Sequence, residues 1–221
     1  MPILNIKIPA IKLSYYDNVA ASLNKKKVEE VIRVKYGKHI NNISKLSNVP
    51  SQLIESFIFI ESGGNPNAKT PYAVGLMQVG LSTASDALVF EKGAGRLSAA
   101  EAAIIKKKLG SRYSLIEKVK PKQKSIGKTF ITKEDLLDPE FNILVGTILL
   151  KQLIDEFTDK NGKVRMDKVI SIYNAGRYGS TAKKIIASKE PIDVLIKKVP
   201  KETNAYILKL LGERGILDTI V

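Results

Sequence analysis

The chain has 221 residues, 44% of them hydrophobic, with no cysteine and a formal net charge of +14. That length buries a sizeable core, most simply as one domain with an extension. No apolar run is long enough to span a bilayer, and disulfides and cysteine-held metals are excluded. The charge implies either an anionic partner or a solvated lysine-rich surface. Aromatic residues are only 6% of the chain and no nucleic-acid motif accompanies the lysines, so nucleic acid is not an expected partner.

In chain order, residues 1–24 read as an irregular arm. Ile3, Ile6, Ile8 and Ile11 alternate raggedly, and Pro2 and Pro9 break the pattern. The opening "MPILNIKIPAIKLS" does not read as a secretory signal, because Lys7 and Lys12 interrupt it. From Lys26 to about Ser47 the period is helical, with Gly37 as a possible divide. Residues 50–62 form the next expected helix, with Asn48 as its cap, Pro50 in its first turn and Gly63-Gly64 as its stop. Residues 65–80 read as loop. Residues 98–109 read as a helix opened by a Ser98–Glu101 capping box. A basic connector over 111–131 and a short turn or helix over 132–138 follow. Helices are then expected over 140–157, 166–175, 181–188 and 200–213. Strand signals are few, so a mainly α single domain is expected.

One charge sits where a burial stripe should continue. Ile54, Phe57, Ile58 and Glu61 fall at i, i+3, i+4 and i+7, on one helical face. Partial burial disfavours the ionised carboxyl group, and so does the negative end of the helix. Both effects raise its pKa towards neutrality, where a general acid for glycosidic cleavage operates. Between Glu61 and Asp86 there is no other Asp or Glu.

Glu61-Ser62 is followed by Asn65-Pro66, Ala68, Gly75-Leu76-Met77-Gln78 and Thr83-Ala84. Later come Asp138-Pro139 with Asn142, Ile143 and Gly146, then Tyr173-Asn174-Ala175-Gly176, then Pro200, Glu202, Thr203 and Tyr206. In this order the blocks resemble the lysozyme-like lytic transglycosylases of the soluble-lytic-transglycosylase type, over roughly residues 26–211. The resemblance implies a lysozyme-like α fold over 25–221, with the arm over 1–24 as a possible attachment segment. It implies peptidoglycan as substrate, cleaved between N-acetylmuramic acid and N-acetylglucosamine with closure of a 1,6-anhydro ring.

Glu61 is then the catalytic acid and base. Ser62 either steadies it, bonds substrate or is simply a polar residue at the helix end. Met77 is either an apolar wall or a core filler, and Gln78 lies beside the scissile sugar. Tyr173 holds either the protonated Glu61 or the acetamido group. Asn174, Glu202 and Tyr206 complete the substrate-binding set. No cofactor and no metal are expected; His39 stands apart from any ligand cluster. The link from Gln78 to Asp138 is longer than the family's usual one, through a basic insertion over about 90–131. Without a recognised signal, delivery to the wall by a phage particle, with tail proteins as partners, or release at lysis is expected. Two other readings remain: a goose-type lysozyme-like hydrolase using Asp86, and an inactive wall-binding or structural copy of the fold.

Overall fold

The computed structural model describes residues 29–177, 179–212 and 215–217. The expected arm over 1–24 and the first residues of the helix expected from Lys26 lie outside the described residues. A π-type turn, Glu29–Arg33, leads into α1 (Val34–Ser47). Gly37 does not divide this helix, which runs through it with open space where a Cβ would project. Asn48 does not cap the helix that follows. At φ 58 it ends α1 in the left-handed conformation, which asparagine tolerates. Pro50 accordingly occupies the N-cap position of α2 (Ser51–Ser62), one residue before the first turn. Gly63 ends α2 as expected, at φ 60 with its N–H on the Phe59 carbonyl.

The next helix, α3 (Leu81–Gly93), has no counterpart among the sequence expectations. Its buried residues are Ala84, Ser85, Ala87, Leu88, Val89, Glu91 and Gly93, so burial runs round the helix and leaves no clean polar stripe. Glu91 is fully buried and is compensated by Arg96 at 2.9 Å and Lys151 at 3.1 Å. The expected capping box opens α4 (Ala99–Leu109), with both of its hydrogen bonds present. The basic connector contains a 3-10 turn, Gly110–Tyr113, and a single helical turn, α5 (Ser114–Glu117). A second capping box, Thr132 with Asp135, opens α6 (Lys133–Leu136).

The hub is α7 (Pro139–Glu156), capped by Asp138 and started by Pro139. Every residue from Phe141 to Ile148 is buried. It packs against α1, α3, α4, α6 and α8 (Met166–Ala175). α9 (Ser180–Ala187), α10 (Ile192–Leu195) and α11 (Lys201–Leu211) follow, with α11 resting on α8 and α2. Among the described residues there are no strands, only isolated bridges; Lys69–Val74 and Val74–Val79 pinch the 65–80 loop. The mainly α expectation holds.

Candidate active site

Four pieces of chain meet around Phe57, in the middle of α2. Its ring stands edge-on to Tyr173 from α8, centroids 4.7 Å apart, and to Tyr206 from α11 at 6.3 Å. One turn further along α2, Glu61 meets the Tyr206 hydroxyl, which donates to Oε1 at 2.5 Å. The Tyr173 hydroxyl donates to the Met77 carbonyl at 2.9 Å and so ties the 65–80 loop to the same cluster. The tyrosine on the carboxyl group is therefore Tyr206, while Tyr173, which the sequence offered for either Glu61 or the acetamido group, holds the loop.

Glu61 is half-buried, and burial pushes its pKa from 4.5 to about 7; the hydrogen bond from Tyr206 acts in the opposite direction and is the smaller effect. No ion pair to Glu61 exists among the described residues, so no neighbouring positive charge joins Tyr206 in opposing the effect of burial. Burial and the nearby carboxyl group push Tyr173 and Tyr206 well above the usual phenol range, which keeps both as neutral donors. Oε2 has no partner among the described residues. The geometry thus holds one carboxylate oxygen and leaves the other to carry a proton.

The glycines after Glu61 set its surroundings. At Gly64, φ 83, a Cβ would come within 2.7 Å of Val31, and its carbonyl accepts from the Tyr36 hydroxyl at 3.2 Å. Ser62 serves the helix end: its hydroxyl donates to the Ile58 carbonyl and accepts from the Gly64 N–H. Met77 is fully buried, and Gly146 on α7 makes room for it, since a Cβ there would lie 2.6 Å from the Met77 sulfur. Its side chain fills the core, and its backbone carbonyl is what reaches the tyrosine cluster. Gln78, at φ 45, folds its amide back on the Ala68 and Gly75 carbonyls. Asn174 is half-buried beside Tyr173. Glu202 is exposed in the first turn of α11, one turn before Tyr206, and no contact draws it into the cluster.

Sequence reasoning missed the part played by Asn142. It is fully buried, accepts from the Met77 N–H at 2.8 Å and donates to the Val74 and Leu136 carbonyls at 2.9 Å each. Gly75, at φ 82, must lack a side chain here, because a Cβ would lie 2.2 Å from the Asn142 amide. An asparagine inside an eight-residue buried run is the signal that could have found it, since a buried amide must be satisfied by something distant.

Among the described residues no group of three or more His, Cys, Asp or Glu stands close enough to hold a metal, and no helix is long and apolar enough to cross a membrane. A surface hollow of about 420 Å³ between α9, α10 and the start of α11 includes none of the tyrosine cluster.

No protein-family model and no curated protein matches the chain. Among solved structures, the X-ray structure of an inactive mutant of the lytic transglycosylase Slt from Pseudomonas aeruginosa matches with a TM-score of 0.50 at 18% identity. The match covers 88% of this chain and 24% of that one, so the chain spans about a quarter of the length of that structure. The chain shares the mainly helical, lysozyme-like fold of the matched part of that structure. Within that fold, Glu61, Tyr173 and Tyr206 are placed by three different helices, while the 65–80 loop is held by Asn142 from a fourth.

Proposed function

We propose that the protein is a peptidoglycan lytic transglycosylase that uses Glu61 as its single acid and base. The observation that carries this reading is a half-buried carboxyl group with a pKa of about 7, one oxygen held by Tyr206. At neutral pH a large share of Glu61 is protonated and can donate to the departing glycosidic oxygen as the C1–O bond breaks. The carboxylate left behind then takes the proton of the muramic acid 6-hydroxyl, whose oxygen closes on C1. The proton lost in the first step returns in the second, and no water is consumed. Burial serves both halves, because it makes the acid weak and its conjugate base correspondingly strong.

In this reading Tyr206 and Ser62 keep Glu61 in place at the helix tip. Tyr173 fixes the Met77 carbonyl and with it the loop that carries Gln78. Asn174 and Glu202, which hold no protein partner among the described residues, bind the glycan. Mass analysis of fragments released from purified walls tests the proposal. Wild type is expected to leave ends lighter by one water than hydrolysis leaves, and Glu61→Gln to cut release by roughly 10²–10⁴-fold. Full-weight reducing ends, or equal clearing by both proteins, would sink it.

A further inference from the structure

The charge of this protein is concentrated in one segment. Residues 104–133 contain ten Lys or Arg and one Glu, which amounts to +9 of the chain's +14. Three of the ten are engaged: Lys106 with Glu117, Lys108 with Asp138, and Arg112 with Asp135. Lys107, Lys118, Lys120, Lys122, Lys124, Lys128 and Lys133 are exposed and take part in no ion pair among the described residues.

The loop that carries most of them is fixed, although it has little regular structure. The Lys122 N–H donates to the Gly93 carbonyl at 2.5 Å. Gly93 must be a glycine, because a Cβ would lie 2.1 Å from the Gln123 carbonyl oxygen. Further on, the Phe130 and Ile131 N–H groups donate to the Ser85 hydroxyl, and Arg112 donates to the Phe130 carbonyl. Val119, Ile126, Phe130 and Ile131 turn inward onto the core. The fold therefore holds like charges together at the surface, at a cost in self-repulsion that an anionic ligand would relieve.

The chemistry of the surface narrows the ligand. Tyr113 and Phe130, the aromatic residues of the segment, are buried, so no platform for stacked bases is offered. The apolar residues of the Lys118–Ile131 loop are packed inward, so it presents no wedge for a lipid surface. The one guanidinium is spent on Asp135 through two hydrogen bonds. What remains is a set of flexible point charges, suited to a mobile chain of single negative charges rather than to a rigid bidentate partner. We propose that this face docks a linear phosphodiester polymer of the cell wall; the choice of a wall polymer rests on the wall-cleaving reading above.

The test is binding of poly(glycerol phosphate) to the full chain across a salt series. Wild type is expected to bind with an affinity that falls steeply between about 50 and 200 mM salt. The variant Lys118→Gln, Lys120→Gln, Lys122→Gln, Lys124→Gln is expected to lose about tenfold or more in affinity and roughly three units of salt slope. A control with equal charge loss elsewhere, Lys35→Gln, Lys38→Gln, Lys160→Gln, Lys163→Gln, is expected to bind nearly as wild type. Equal loss in both variants, or tighter binding by wild type to duplex DNA or to phosphatidylglycerol vesicles, overturns the proposal. Glycan strands free of the polymer separate this from the cleavage reading: the loop variant is expected to cleave them as wild type does.

Discussion

A carboxyl group of raised pKa and a hydroxyl that partly opposes the rise give Glu61 and Tyr206 separable signatures. The Tyr206 bond lowers the Glu61 pKa, so Tyr206→Phe removes a contribution that favours the carboxylate. If the protonated form does the work, the rate declines above pH 7 in wild type, and in Tyr206→Phe that decline moves to higher pH by roughly one unit. Tyr173→Phe leaves the decline where it is, because that hydroxyl bonds the Met77 carbonyl and not Glu61. A pH–rate profile of the three proteins checks both expectations, and a shift in Tyr173→Phe alone would reverse the assignment. The position of Glu61 was legible from sequence because i, i+3, i+4 spacing is local. Its partner was not. Tyr206 lies 145 residues away, and the sequence offered Tyr173 for that place; the choice depends on where helices α8 and α11 stand around Phe57.

The elements that announce themselves are those with a stripe or a cap: α4 with its capping box, and α7 with Asp138-Pro139 at its start. α3 stayed invisible because it is buried nearly all round and opens with Ser82, Thr83, Ser85 and Asp86, whose side chains favour caps and turns or lose rotamer freedom in a helix. Within α7, the role of Asn142 depends on where the 74–77 backbone passes, which no periodicity reports. That role yields an expectation for the element as a whole. Asn142→Asp keeps an acceptor for the Met77 N–H but sets a carboxylate against the Val74 and Leu136 carbonyls. It should cost roughly 3 kcal/mol or more, since two buried acceptors lose their donor and a charge is buried. Urea unfolding measures this, and a cost under about 1 kcal/mol would mean that the loop is held by other contacts.

Across the whole molecule, groups with displaced pKa values pull stability in opposite directions with pH. Burial raises Asp135, but hydrogen bonds from Arg112 and Thr132 outweigh it and hold its carboxyl group below the usual range. Burial raises Asp138 too, and the Phe141 N–H and Lys108 outweigh it in the same way. Both therefore contribute stability above their unfolded pKa that is lost as pH falls through the folded one. Glu61 has the reverse sign. Its folded pKa of about 7 exceeds its ordinary 4.5, so its contribution is full below 4.5 and is lost as pH rises towards 7. The two aspartates also titrate in Glu61→Gln, so subtracting that variant's stability from that of wild type isolates the one group. Glutamine can still accept from Tyr206, so the comparison keeps the hydrogen bond. The variant should gain on wild type progressively between pH 4.5 and 7 and level off above, by at most about 3 kcal/mol because the carboxyl group is only half-buried. Thermal melts of both proteins across that range measure the gain. A difference that stays constant with pH would mean that Glu61 titrates as an ordinary carboxylate, and the proposed acid would lose its physical basis.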